Sequence, residues 1–352
     1  MAAILRSDVI IPEVFTPYII EASTVRNSFL MSGVVTAMDQ LNATQEGGDK
    51  ITVPNWKANL TGDAERMTDD SSLTPGSLGT DKQIAVVMHR GRAWGARDLA
   101  SMAAGSDGMN AIGNKTVDYI ANEQQKDLIA HLSGVFGALG TANTGAAFEE
   151  LCVDASGSGE TNLSPRHIAA AEVILNEDAD KLGAIVMHPR VYADLKERKA
   201  IDFVTATDAR VTASTVAAGS LQALNAFGGS VAAAYTSSLA VPFYMGMRVI
   251  RSKDVPTSGS GATTKYACYV MGTGAVGTGQ QAALRTETDR DILAKESVMA
   301  VDWHNIYHPL GARYIGPVNP TRAQLATASN WEKVFETENI GIVRITVTSS
   351  YD

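Results

Sequence analysis

The stretch from Asp98 to Gly140, DLASMAAGSDGMNAIGNKTVDYIANEQQKDLIAHLSGVFGALG, constrains this chain more than any other. Its apolar residues Ile112, Val117, Ile120, Ala121, Leu128, Leu132, Val135, Phe136 and Leu139 recur at helical spacing. Lys115, Asp118, Glu123, Lys126 and Asp127 fall on the other face, where Lys115 with Asp118 and Glu123 with Lys126 can pair weakly. Asp98 reads as the N-cap of a short first helix. Gly105-Ser106-Asp107 ends that helix and caps the next, and Gly140 stands where a left-handed terminus belongs. A helix of about 30 residues would be about 45 Å long, against a mean of about 11–12 residues for globular helices. Gly113, Gly134 and Gly137 weaken its propensity, so packing must hold it. A helix of that length with one apolar stripe needs something extended to lie across.

The chain of 352 residues is long enough for a large core and two or three domains. Only 19% of it is charged, below the usual ~25%. A net charge of −9 argues against broad binding to nucleic-acid phosphates. Cys152 and Cys268 are far apart and form no CxxC, which points to two buried free thiols in a reducing compartment. The N-terminal MAAILRSDVIIPEV is interrupted by Arg6, Asp8 and Pro12 and does not read as a signal peptide. No charge occurs between Arg210 and Arg248, but Gln222, Asn225 and Pro242 interrupt that stretch, so it reads as covered rather than membrane-spanning.

Residues 1–46 read as an arm, broken by Pro12 and Pro17, with apolar residues from Ser28 to Met38 that must dock on something. Ile51-Thr52-Val53 alternates like a strand, and Pro54 restricts it to a sheet edge. The return strand is Gln83 to Trp94. Residues 57–82 between them are rich in Gly, Asp, Ser and Thr and cannot form a core, so 47–95 reads as a long protruding β-hairpin. Such a hairpin is marginal alone and lies on another molecule.

Residues 141–161 read as a linker. Ser164-Pro165 opens a helix through Ile168, Val173, Ile174 and Leu175, closed by Gly183. Ala184–Met187 is a short buried strand, and Pro189 starts another helix with Val191, Leu195 and Lys196. Strands follow at 248–251 and 265–271 around a Ser/Gly-rich loop. From Gln281 the chain turns mainly to strands, with Met299, Val301, Trp303 and Tyr307 alternating against Asp302, His304 and His308. Thr321 lies in a cap for a short helix to Leu325, and 341–348 closes the chain as a strand with Val343, Ile345 and Val347 on one face.

Few constellations could carry chemistry. Gly272-Thr-Gly274-Ala-Val-Gly277 fits the dinucleotide fingerprint and follows a strand, but no amphipathic helix starts at the glycines and Glu287 and Asp289 come too early. A Gly-rich turn between strands is the favoured reading; an α/β nucleotide-binding enzyme using Gly272, Gly274 and Gly277 is the alternative. His304 and His308 would pair as metal ligands only on a helix, and the period-two pattern makes them structural or solvent-facing. Glu65, Asp69 and Asp70 read as a solvated charge cluster. No catalytic, cofactor or metal site is expected.

Several stretches resemble, in collinear order, the major capsid proteins of tailed bacteriophages, a fold shared with herpesvirus capsid floors. Ile51-Thr-Val-Pro-Asn-Trp56 with Leu60-Thr-Gly62-Asp63 is similar to the start of the family's extended loop, and Arg92-Ala-Trp94 into Asp98-Leu99-Ala100 to its return. Ala130 to Phe136 resembles the end of the spine helix, and Ala184 to Pro189 with Tyr192 and Leu195 the apical domain. His308-Pro-Leu-Gly311, Asn319-Pro-Thr321 and Asn330-Trp331 resemble the terminal peripheral segment. The resemblance implies an α+β fold with these parts: arm 1–46, extended loop 47–95, peripheral domain with spine helix 96–150, α/β apical domain 151–285, and peripheral return strands 286–352. It implies a non-enzymatic subunit of an icosahedral virion shell, built as hexamers and pentamers around double-stranded DNA bound without sequence preference. The contacts it points to are Trp56, Lys57, Asp63 and Arg66 on the loop and Tyr18, Phe29 and Met31 on the arm. Partners implied are further copies, a separate scaffolding protein (the arm is too short for a helical pro-domain) and a portal. A decoration protein is left open. Lys57 as a covalent cross-linking residue lacks a recognisable partner. An encapsulin shell or another phage assembly protein such as a tail tube also fits.

Overall fold

In the computed structural model, residues 3–4, 33–42, 48–57, 60, 63–67, 73, 75–139, 145–157, 161–204 and 241–351 are described. The elements run β1 (Ala3–Ile4), β2 (Val35–Ala37), β3 (Lys50–Trp56), β4 (Thr80–Val86), β5 (Met88–Arg97), α1 (Asp98–Ala104), α2 (Gly108–Phe136), β6 (Cys152–Asp154), α3 (Pro165–Leu175), β7 (Leu182–Met187), α4 (Pro189–Glu197) and β8 (Asp202–Val204). They continue as β9 (Val241–Tyr244), β10 (Met247–Arg251), β11 (Thr257–Ser258), β12 (Lys265–Gly272), β13 (Val276–Asp291), β14 (Glu296–Pro309), β15 (Ala312–Tyr314), α5 (Arg322–Leu325), β16 (Trp331–Lys333) and β17 (Ile342–Thr348). The mixed α+β architecture expected from the sequence is present.

The extended partner of the long helix is the antiparallel ribbon β13–β14. The 29 residues of α2 make about 44 Å of helix, and the 14 residues of β14 about 46 Å of strand. The two match. Ile120 packs with Met299, Val301 and Trp303 of β14, beside half-buried Trp94, Met109, Ile112 and Tyr119. The Trp94 and Tyr119 rings meet edge to face, with centroids 5.0 Å apart. Farther along, Leu128, Leu132, Val135 and Phe136 enter the main core with Phe148, Leu151 and the sheet residues.

Asp107 caps α2 through the backbone N–H groups of Met109 and Asn110, and Gly105 ends α1 in the left-handed region (φ 65°). Three local expectations differ. Asp98 is the first residue of α1 rather than its cap and pairs with Arg290 instead (2.6 Å). The helix stops at Phe136, with Gly137 (φ 73°) as its cap; Gly140 lies outside the described residues. Val117 is exposed, and Asp127, expected on the polar face, is 1% exposed. Of the two side-chain pairings expected along the helix, Glu123–Lys126 forms at 3.0 Å.

Gly134 explains itself once α2 is packed. A Cβ there would stand 2.0 Å from the Leu325 carbonyl oxygen and 2.3 Å from Trp331 Nε1. The bare backbone lets α5 and β16 cross the helix, and Trp331 Nε1 donates to Leu325 O (2.8 Å).

Three sheets divide the strands. Five lie in the order β1-β5-β14-β13-β2. Eight form the second sheet, in the order β6-β17-β12-β7-β10-β9-β8 with β11 beside β12. Four form the third, β16-β15-β4-β3, with β3 at its edge as Pro54 requires. The expected hairpin is therefore shorter than 47–95. Its pairing runs from Lys50↔Val86 to Trp56↔Thr80; beyond Val87 the chain changes sheet, and β5 pairs β14. The expected boundary at 285 does not follow the sheets either. β13 crosses it, and β17 lies inside the eight-stranded sheet, between β6 and β12. Both faces of β17 are buried, Arg344 included, and the Arg344 guanidinium donates to Gly137 O (2.7 Å).

Residues 141–161 are not a plain linker: Phe148 and Leu151 are core residues, and β6 pairs β17 in parallel. Ser164 caps α3 in a capping box with His167, and Val173 faces outward. Asn176 follows α3, and Gly183 lies inside β7 rather than closing the helix. Cys268 is fully buried, which pushes its thiol up to about 12, while Cys152 is half-buried. No helix among the described residues is long and apolar enough to cross a membrane.

Two histidines are buried neutral between α2 and β14. His131 Nδ1 donates to the Asp127 carbonyl (2.7 Å), and His308 Nε2 to Gln83 Oε1 (3.2 Å). Burial lowers His131 to about 4 and His308, next to it, to about 3.

The two glycines of α2 give a matched test. Gly134→Ala should destabilise by about 1–3 kcal/mol despite the better helix former. Gly113→Ala, with open space around it, should stabilise by about 0.5–1 kcal/mol; urea melts of both variants measure this. The histidines give a pH test. Their folded values lie below the unfolded ~6.5, so the unfolded chain takes up protons first on acidification. Stability should hold above about pH 6.5 and fall progressively toward pH 4 by a few kcal/mol. His308→Gln should flatten that slope in urea melts run across the same range.

Candidate inter-subunit surface

The candidate surface is built on the hairpin β3–β4. Its root is clamped by polar contacts that follow from strand register. Lys50 Nζ donates to Gly316 O (2.6 Å) and lies over the Tyr314 ring. Arg313 reaches Asp81 (3.6 Å) and Glu332. Buried Gln83 accepts from His308 and from Gly311 N (2.9 Å), tying β4 to the turn after β14. Alternation in β4 then places Ala85 in a small core with Leu41, Val87 and Ile306, backed by Ile51 and Val53.

Past Trp56 and Thr80 the described apolar side chains of the loop stand in water. Trp56 is 68% exposed, and Leu60, Met67 and Leu73 are exposed as well. Lys57, Asp63 and Arg66 are exposed, and Lys57 N donates to Gly79 O (3.0 Å) where the strands end. Trp56 and Lys57, with Asn55, Val334 and Phe335, line a cleft of about 270 Å3 where β3 ends. The four loop residues singled out in the sequence therefore fall on one hairpin. Tyr18, Phe29 and Met31 lie outside the described residues, as do Asp69 and Asp70 of the charge cluster.

The described end of the arm docks as its apolar residues demand. Val34 and Leu41 are buried, and β2 pairs β13 in parallel. This settles the glycine motif. Gly272 ends β12, Gly274 (φ 71°) makes the turn, and Gly277 is already in β13. A strand, not a helix, follows the glycines, so the dinucleotide context is absent. A Cβ on Gly277 would stand 2.7 Å from Met38 Sδ and 2.8 Å from Leu41 Cδ1. The glycines make room for the arm.

Sequence reasoning missed two features. The first is the turn between β13 and β14, where Asp291 Oδ1 accepts from Leu293 N and Ala294 N (2.9 and 3.0 Å). It holds Ile292 exposed and Leu293 96% exposed; two large apolar residues inside TETDRDILAKES were the available signal. The second is an ionic cluster under α5. Arg322 Nε donates to Asp127 Oδ1 (2.6 Å), Arg90 lies 3.4 Å from Asp127 Oδ2, and Arg322 reaches Glu123 (2.5 Å). Burial works against the charge on Glu123, yet bonds from Arg322 and Lys126 hold its carboxyl below the usual range. His308 is buried against Gln83, while His304 faces His89 across the strands. Among the described residues no group of three or more His, Cys, Asp or Glu is placed to hold a metal.

No family model matches the chain. It is similar in fold to the capsid of cyanophage Pam1 (TM-score 0.60, 14% identity, 97% of this chain and 98% of that one). It is likewise similar to the capsid of Ralstonia phage GP4 (TM-score 0.59, 12% identity, 96% of each). An encapsulin of Synechococcus elongatus shares the fold at 9% identity (TM-score 0.53, 96% and 94%). Among curated proteins, the major capsid protein of Bacillus phage SPP1 is 30% identical over 353 aligned residues, 98% of each chain. With that identity carried from end to end, on a fold common to phage shells, this chain belongs to the major capsid proteins of tailed bacteriophages.

Proposed function

We propose that this capsid protein tiles an icosahedral virion shell as hexamers and pentamers around packaged double-stranded DNA, assembled in the host cytoplasm. Its role is structural and not catalytic. One observation carries the reading: the fold clamps the root of β3–β4 while leaving Trp56, Leu60, Met67 and Leu73 in water. Apolar surface held out this way marks an interaction site, and neighbouring copies are the cover on offer.

The contacts proposed are Trp56, Lys57, Asp63 and Arg66 from the loop, and Tyr18, Phe29 and Met31 from the arm. Ile292 and Leu293 join them at the other end of the ribbon. A subunit of net charge −9 lines a genome without binding its phosphates tightly. A separate scaffolding protein and a portal are the further partners proposed, with a decoration protein open to test. The domain reading is kept with β17 moved into the apical unit. An encapsulin-like shell is the second reading, supported by the shared fold; 30% identity to a phage capsid protein favours the first. Nucleic acid extracted from shells purified from infected cells separates them: packaged double-stranded DNA supports the first, DNA-free shells with protein cargo the second.

Two variants test the contact surface. Replacing residues 57–79 by an Asn-Gly turn joins the paired Trp56 and Thr80 directly. The subunit should fold with unchanged melting yet fail to give stable shells by electron microscopy; normal shells would refute the reading. Trp56→Ala should change subunit stability by less than about 0.5 kcal/mol while lowering shell yield in co-expression with the scaffold.

A further inference from the structure

The turn between β13 and β14 holds an apolar knob at one end of the ribbon. Leu293 projects into solvent with Ile292 beside it, and Asp291 Oδ1 fixes their backbone by accepting from Leu293 N and Ala294 N. The turn is also fastened to α1: Asp98 N donates to Lys295 O (3.0 Å), and Arg290 pairs with the Asp98 carboxylate (2.6 Å). The knob is therefore shaped before anything covers it. Its flanks carry one charge of each sign. Asp291 and Lys295 are both exposed, and neither side chain has an ion-pair partner among the described residues.

The cleft where β3 ends has the matching character. Trp56, Val334 and Phe335 give it apolar walls, and Lys57, Glu336 and Asn339 complete its lining. Phe335 is half-buried against the main core, which makes that wall firm. The volume of about 270 Å3 lies below the ~300–1,000 Å3 of pockets that enclose a whole small molecule. It suits an anchor side chain from a protein partner instead. Lys57 and Glu336 are exposed, and like the charges of the knob they have no ion-pair partner among the described residues. Knob and cleft sit at opposite ends of β14. The turn immediately precedes Glu296, where that strand begins. The strand stops at Pro309, and just beyond it Gly311 O accepts from Val334 N and Phe335 N (2.8 and 3.2 Å). About 46 Å of strand lies between them, so no single chain brings the two together.

We propose that the cleft takes the Ile292–Leu293 turn of a second copy of this chain, with Lys295 beside Glu336 and Asp291 beside Lys57. Ile292 and Leu293 then leave water against Trp56 and Phe335, and each unpaired charge meets its opposite. The apolar knob supplies the strength of the contact. The rim charges fix its orientation and register. A patch that complements a site elsewhere on the same molecule is filled head to tail, so each copy gives one knob and receives one. The inference rests on the shell reading and adds to it which two surfaces meet.

The experiment combines Leu293→Cys with Asn339→Cys in one full-length chain, assembled with the scaffold and treated with a short bis-maleimide. Both positions are exposed, so subunit melts should match the wild type. Shells of the double variant should give a ladder of dimers, trimers and longer multiples on denaturing gels, beyond what either single variant gives. In a second set, Lys295→Glu and Glu336→Lys should each lower shell yield about tenfold, and the two together should recover most of it. Shells without the ladder would overturn the pairing and leave the shell reading standing. So would Leu293→Cys alone giving dimers as strongly as the double variant, because the knobs would then meet each other. Charge reversals whose losses simply add would overturn it as well. If the wild-type chain gives no shells with its scaffold, the shell reading falls and the pairing falls with it.

Discussion

Asp127 is the point at which separate parts of this chain are made to agree. Its carboxylate, buried on a helix, takes Arg322 from α5 at 2.6 Å and faces Arg90 from β5 at 3.4 Å. Removing one member of such a buried pairing costs about 3–5 kcal/mol, because the remaining charge is stranded. The same group fixes position: α2 can sit on the ribbon in only one register if Asp127 is to meet both arginines. About two turns on, Gly134 permits the close crossing by Leu325 and Trp331. The last two residues of α2, Val135 and Phe136, are apolar and fully buried. The helix is oriented by charge in its middle and held by burial at its end.

With the helix so fixed, the chain separates into a covered part and an uncovered part. The buried apolar residues in the C-terminal half of α2 belong to one continuous core reaching the eight-stranded sheet. The hairpin beyond Val86 and the β13–β14 turn lie outside that core, yet neither is loosely attached. Gln83, Lys50 and Arg313 fasten the hairpin root, and Asp291 shapes the turn that presents Leu293. A firm root under an exposed apolar end is what a contact surface needs, since less order has to be imposed when the neighbour arrives.

Much of this was readable in advance, and the failures have a common cause. The helix, its Asp107 cap, the β3 edge at Pro54, the Ser164 cap and the buried β7 are all local, and local patterns gave them. Asp127 was misassigned because a charge within a helix reads as solvated unless its partners are known, and Arg90 and Arg322 are remote in sequence. Gly134 read as a weakness because the Trp331 ring it accommodates is nearly two hundred positions away. The hairpin was drawn too long because Gln83 to Trp94 is one uninterrupted β pattern, and the change of sheet at Val87 leaves no mark in alternation. That β17 pairs β12 was unreadable for the same reason: alternation reports a strand, not its neighbours. The exposure of Trp56, Lys57, Asp63 and Arg66 was legible because a polar, Gly-rich excursion too poor in apolar residues to form a core is itself a sequence property.

The glycine motif shows how far such a pattern can mislead and what corrects it. Gly272, Gly274 and Gly277 satisfy a spacing that elsewhere admits a pyrophosphate to backbone. Here the thing admitted is Met38 and Leu41 of the same chain. The steric demand is identical, a backbone that must be approached closely, and only the approaching group differs. Spacing reports the demand; the element that follows decides who meets it. A strand follows here, and with Leu41 packed beside Ala85, Val87 and Ile306 the arm becomes part of the hairpin's own foundation. The same residues that rule out a nucleotide therefore join the chain's first segment to the surface by which it would meet its neighbours.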